Sequence, residues 1–163
     1  MRALGIAAAL ALAALAATAQ QKGNQEPKLY SSAADIQAMI AKSKADRKGD
    51  APIVIQRILG LPPYNANLEY RASVGPASVH EKEAEMFYVI DGTATMVTGG
   101  KLAGETRTNA ENLSGTGIEG GNSRQIGKGD FIIVPEGTPH WFSTINGTLV
   151  LMSLHVPRPV PGK

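Results

Sequence analysis

The sequence predicts an all-β fold, a sandwich or barrel, with one N-terminal α-helix. Three observations carry this. Short apolar runs recur from Pro52 to Val156. Turn signals rich in Gly, Pro, Asn and Asp separate them about every 8–12 residues, the rhythm of short antiparallel strands. Apolar residues take helical spacing in one stretch of the mature chain, Ala33 to Arg47.

Taken in order, residues 1–19 carry one charge, Arg2, then an Ala/Leu run from Ile6 to Ala17 and the small-x-small triplet Ala17-Thr18-Ala19. That is the pattern of a secretory signal peptide, and the run is too short for a membrane anchor. The expected location is periplasmic or secreted, with no membrane span after cleavage. Residues 20–31 are polar and expected as a flexible leader. Ser31-Ser32 can cap a helix within 32–50 that sets Ile36, Met39, Ile40 and Ser43 on one face and stops at Gly49-Asp50. So narrow a stripe must dock on something larger.

The β region is expected over 51–157. Ile53–Leu59 forms a first strand that Pro62-Pro63 breaks. Leu68, Tyr70 and Ala72 alternate with Asn67, Glu69 and Arg71, the period of a half-buried strand. Met86–Ile90 and Thr93–Thr98 flank Asp91-Gly92, a hairpin signal. Residues 99–129 are expected as a long loop with one strand near Ile118–Ile126. Phe131–Val134, His140–Ile145 and Leu149–Val156 follow, the last two joined by a predicted hairpin at Asn146-Gly147. Residues 158–163 form a Pro-rich tail.

Composition narrows the chemistry. The 163 residues contain no cysteine, so thiol nucleophiles, thiolate metal sites and disulfides are excluded. Lys+Arg number 16 and Asp+Glu 14. Loss of Arg2 leaves a balance near +1 (15 minus 14), which offers nucleic acid no strong basic surface. Histidine occurs at His80, His140 and His155. A metal site must be built from these and oxygen donors.

His80 and Glu85 flank the corner Glu81-Lys82-Glu83-Ala84, and His140 opens a strand just after Pro135-Glu136-Gly137. If His80 ends one strand and Glu85 begins the next, both can point inward, and His140 can meet them from a neighbour. Two imidazoles and a carboxylate suit one divalent Fe, Mn, Cu, Ni or Zn ion. The same spacing also fits structural histidines and a solvated turn carboxylate.

The spacing resembles that of the cupins, of the small single-domain cupin_2 type. Their second motif is Gly, five residues, Pro-x-Gly, two residues and His, then three residues and Asn. Gly129, Pro135, Gly137 and His140 match it, and Thr144 stands at the Asn position. Their first motif runs His-x-His, three or four residues, Glu, six residues, Gly. His80, Glu85 and Gly92 match, but Ser78 occupies the first histidine position and Gly75 is out of register. The resemblance implies a jelly-roll antiparallel β-barrel of about six to eight strands, usually dimeric, with a metal inside. It carries ligand roles to His80, Glu85 and His140. Because serine is a poor ligand, three protein ligands are expected and open positions remain.

Alternation from the ligands places Phe87, Val89, Phe142 and Thr144 on the pocket wall with Ser78, and leaves Val79 outside. Trp141 faces outward, against the helix or a dimer interface. Arg71 is a candidate for a carboxylate substrate. His155 alternates with Ser153 and Leu151 and is expected in or just behind the pocket. Glu85 can leave the metal to act as a base, and Tyr70 or Tyr88 can serve as acid. The function expected is an exported metal-dependent oxygenase, decarboxylase, isomerase or lyase acting on a small oxygen-rich molecule, as a homodimer. The alternatives are a non-catalytic module binding a sugar, organic acid or metal, and copper-dependent oxidation of an extracellular polysaccharide. A narrow apolar cavity favours the enzyme; an inward-facing Arg71, Asn67 and Tyr70 favour the binding module.

Overall fold

A computed structural model describes residues 26–158. The expected signal peptide, most of the leader and residues 159–163 lie outside the described residues. In chain order the elements are α1 (Ala33–Asp46), β1 (Ile53–Leu61), β2 (Tyr64–Arg71), β3 (Ala77–His80), β4 (Glu83–Thr98), β5 (Lys101–Ala103), β6 (Thr106–Arg107), β7 (Asn112–Gly115), β8 (Gly117–Glu119), β9 (Asn122–Gly127), β10 (Phe131–Val134) and β11 (His140–Pro157). Among the described residues nine strands join in one antiparallel sheet, and β5 and β8 pair as a separate flap. The sheet curls into the jelly-roll barrel expected.

Its backbone is the ribbon of β4 and β11, paired from Glu83↔Pro157 to Thr98↔His140. Sixteen residues of straight strand would span about 50 Å. Yet His140 and His155, near opposite ends, touch the same side chain (below). The ribbon therefore bends back on itself. Register shifts between Phe142 and Thr144, Ile145 and Leu149, and Val150 and Leu151 supply the bend. Gly92 sits in it at φ +88°, where a Cβ would lie 2.0 Å from the Thr148 carbonyl oxygen. Only glycine permits that approach. This corrects the two predicted hairpins. Asp91-Gly92 and Asn146-Gly147 are corners within two continuous strands, facing each other across the ribbon. Turn residues mark where a chain bends, but they do not tell a reversal from a bulge.

The bulges also move side chains between faces. The shift after Phe142 exposes Thr144, an expected pocket residue, and packs Ile145 against the core instead. The expected loop 99–129 contains β5 to β9, strands too short and polar to show a period. Residues at the end of the leader are held too. Lys28 pairs with Gly60, and the Ser31 hydroxyl donates to the Ile58 carbonyl.

Two cores lie on opposite faces of β2, β4 and β11. Phe87, Val89, Ala94, Met96, Phe142, Leu149 and Leu151 fill the barrel. Ile58, Ala66, Leu68, Tyr70 and Val150 face out, where Ile36, Met39 and Ile40 of α1 cover them. The helix begins at the predicted cap: the Ser32 hydroxyl accepts from the Asp35 amide, and the Asp35 carboxylate accepts from the Ser32 amide. Arg47 is its C-cap, two residues before Gly49. Gln56 donates to the Met39 carbonyl and the buried Ser43 hydroxyl, at 2.7 and 2.6 Å, clasping the helix to β1. No helix among the described residues is long and apolar enough to cross a membrane.

Candidate metal centre

Four elements deliver the site. His80 ends β3, and the corner Glu81-Lys82 is short enough that Glu85 follows on the inner face of β4. The turn before β11 is a tight one: Thr138 N–H donates to the Pro135 carbonyl, with Gly137 at φ +70°. The Gly137 amide then donates to the His80 carbonyl at 2.7 Å. The turn that presents His140 is thus bonded to the backbone of His80. His155 arrives on the far end of β11, where it pairs with Glu85.

Three imidazoles surround the buried Glu85 carboxylate. Nε2 of His80 and Nε2 of His140 lie 3.2 and 3.1 Å from Oε2, and Nε2 of His155 lies 3.3 Å from Oε1. The candidate ligand atoms of His80, Glu85 and His155 are all within 4.8 Å of one another and could hold a metal ion. That group differs from the expected trio of His80, Glu85 and His140. It includes His155, which the alternation with Ser153 and Leu151 placed only in or behind the pocket. His140 stands outside the group, although it meets the same Oε2 as His80.

The far nitrogens show how the rings are set. His80 Nδ1 is 2.6 Å from Asn112 Oδ1. The Asn112 amide nitrogen donates to Asn109 Oδ1, so Oδ1 is the acceptor left for His80 and Nδ1 carries the proton. His140 Nδ1 faces the Thr138 carbonyl at 3.3 Å and must also donate. In their neutral forms both rings then turn the Nε2 lone pair toward a carboxylate, which is lone pair against lone pair. Either extra protons or a cation must lie between them. A divalent cation fits this donor set, since imidazole ligands characteristically give their other N–H to an oxygen.

Without a cation the cluster must hold protons. Burial alone would push the Glu85 carboxyl up, but hydrogen bonds from His140, His155 and His80 outweigh it and hold the group well below the usual carboxylate range. For His80 burial opposes the charged ring, yet the bonds to Glu85 and Asn112 raise its pKa. For His155 the Glu85 bond leads, and its pKa is raised as well.

Below the ligands the barrel is apolar. Phe87 lies against His140 at 6.1 Å between centroids and edge-on to Phe142 at 5.5 Å. The Ser153 hydroxyl is buried there without a hydrogen-bond partner. Ser78 is on the face of β3 that carries His80 and pairs with His140 across the strands. Val79 is on the opposite face of β3, outside the pocket as alternation predicts, and is buried there.

Several expected roles change. Tyr70 is buried in the helix-side core, since β2 turns Glu69 and Arg71 to the other face; it cannot serve as an acid at this site. Tyr88 stacks on Phe131 outside the barrel. The Arg71 guanidinium lies 4.7 Å over Phe142 and is paired with the buried Glu69 at 2.8 Å, so it is not a free anchor for an anion. Trp141 is half-buried and is not among the residues packed under the helix. Its indole donates to the Gly75 carbonyl at 2.8 Å and its ring approaches Gly117 of the flap. A cavity of about 230 Å³ between β9 and β10 is lined by Met96, Arg124, Ile126, Val134 and Thr138; it adjoins the site at Thr138, whose carbonyl faces His140.

The family model Cupin_1 (Cupin) matches residues 54–158. The chain belongs to the cupin superfamily. The match is to Cupin_1, whereas the motif spacing had suggested the cupin_2 type. Solved structures are similar to part of the chain. KdgF from Halomonas sp. is 18% identical, over 69% of this chain and 87% of that one, with a TM-score of 0.49. A Klebsiella pneumoniae protein with a double-stranded β-helix domain is 15% identical, over 72% and 81%, at 0.50. The iron(II) form of HppE is 14% identical, over 67% and 53%, also at 0.50. At these identities the likeness is one of fold. No curated protein matches the chain.

Proposed function

We propose that this cupin is an exported metal-dependent enzyme acting on a small oxygen-rich molecule, of the oxygenase, decarboxylase, isomerase or lyase type. The observation that carries the reading is the lone-pair conflict at Glu85, which a divalent transition metal relieves. His80, Glu85 and His140 would hold the ion. Once bound, it supplies Lewis-acid or redox chemistry at an oxygen atom of the substrate. The chain's own part is to orient and to keep water out. Asn112 and the Thr138 carbonyl fix two rings, and Phe87 and Phe142 form a dry floor. Three imidazole contacts keep Glu85 ionised, which suits a ligand better than a base that must release the metal.

The placement of the side chains favours this over the other two readings. Tyr70 is turned away, and the inward-facing Arg71 is paired with Glu69, so the pocket offers a sugar or acid no phenol from Tyr70 and no free cation from Arg71. Polysaccharide oxidation calls for an exposed aromatic platform, and Trp141 is engaged by Gly75 and Gly117. Export rests on residues 1–19 of the sequence. A homodimer is the family's usual assembly.

Elemental analysis of protein purified without chelator tests the reading, with about one Fe, Mn, Cu, Ni or Zn per chain expected. Dioxygen consumption is then screened over small carboxylic acids and phenols. Metal well below one per chain, with no uptake on reconstitution, would sink it.

A further inference from the structure

His155 belongs to neither family motif, and Glu83 lies in the corner between His80 and Glu85, at a position neither motif specifies. Together they form the side of the centre nearest the far end of β11. His155 Nε2 faces Glu85 Oε1 at 3.3 Å, and its ring meets that of His80 edge-on at 4.7 Å. Nδ1 lies 3.0 Å from Glu83 Oε2. The approach is misaligned, so this buried nitrogen has no hydrogen bond. Distance and alignment disagree here, and alignment decides whether a bond exists. A small rotation of either side chain would complete it.

We propose that His155 is a metal ligand through Nε2, supplying from β11 the imidazole that Ser78 cannot supply from β3, and that Glu83 is its positioning residue. The inference rests on the metal reading above. All three rings share one arrangement: Nε2 toward Glu85, Nδ1 toward an oxygen of Asn112, Thr138 or Glu83. An imidazole with an oxygen at each nitrogen is placed as a ligand with an outer acceptor. The ribbon geometry explains the relocation. Pairing of His155 with Glu85 sets the two side chains side by side on one face. Glu83 is two residues before Glu85 and shares that face. The resulting set is three imidazoles and one carboxylate, four protein ligands rather than three.

Cobalt(II) titration of the chelator-treated full chain tests this, followed by absorption spectroscopy and thermal melting. The wild type should bind one Co(II) per chain. His155→Ala and the bulkier His155→Gln should each bind at least about tenfold more weakly and shift the visible bands, because a nitrogen donor is lost. Glu83→Ala should weaken binding by about 10–100-fold, the usual effect of losing an outer acceptor, with the bands kept. Glu83→Gln, which retains an acceptor oxygen, should recover most of that loss. Wild-type affinity and bands in both folded His155 variants would overturn the ligand role and leave the metal reading standing. Wild-type affinity in Glu83→Ala would overturn the positioning role. Failure of the wild type to bind Co(II) would overturn the metal reading, and this inference with it.

Discussion

His140 and His155 sit near opposite ends of one strand and touch the same carboxylate, but they are held by different means. His140 is 6% exposed and follows a turn bonded to the His80 backbone. His155 has 27% of its side chain exposed and is placed by strand pairing, with Glu83 Oε2 3.0 Å from its Nδ1. A turn places a side chain through a few local dihedrals. Pairing places one only after the whole ribbon has bent. The first kind of placement leaves a motif in the sequence, and the second leaves almost none.

Both histidines depend on the bend, so straightening it should have the largest effect. Gly92→Ala puts a Cβ against the Thr148 carbonyl at positive φ. It should cost about 3 kcal/mol or more and abolish metal uptake, as read by chemical denaturation and elemental analysis. A stable, metal-loaded variant would show that the bend tolerates a side chain. Phe87→Ala removes the floor beneath His140 and should cost about 3–5 kcal/mol. Its effect should be greater on His140 than on His155, which histidine NMR shifts can report.

His140→Ala isolates the turn-held end. Metal content after purification should fall below about a tenth of the wild-type value, while the fold, judged by circular dichroism, is kept. Unchanged metal content would remove His140 from the centre.

Acidity separates the ends more gently. In metal-free protein the His80 and His155 pKa values are raised above 6.5. Their stabilisation is therefore complete below about pH 6.5 and is lost as pH rises through the raised values. Glu85 works the other way: its contribution is present above 4.5 and is lost as pH falls toward its depressed value. Metal binding needs neutral rings and so strengthens with pH. Melting temperatures over about pH 5–8 should fall for metal-free protein, and the increment given by metal should grow. Parallel curves would contradict this. The smallest effect expected is that of Ser32→Ala, which removes the helix cap on the outer face. It should cost about 1 kcal/mol in denaturant unfolding and leave metal affinity unchanged at both ends.

The fold class, the capped helix with its packed face at Ile36, Met39, Ile40 and Ser43, and three residues of the candidate site could be read from the amino-acid sequence alone. His80, Glu85 and His140 were legible because a corner and a turn hold them, and local conformation is written in neighbouring residues. Phe87 and Phe142 followed from alternation, which holds until a bulge intervenes. The rest came from long-range packing. It turned two apparent hairpins into one bent ribbon, exposed Thr144, sent Tyr70 under the helix, neutralised Arg71 with Glu69, and brought His155 to Glu85. Each of these depends on register between strands far apart in the chain. Register is set by packing across the sheet, and no short window of sequence contains it.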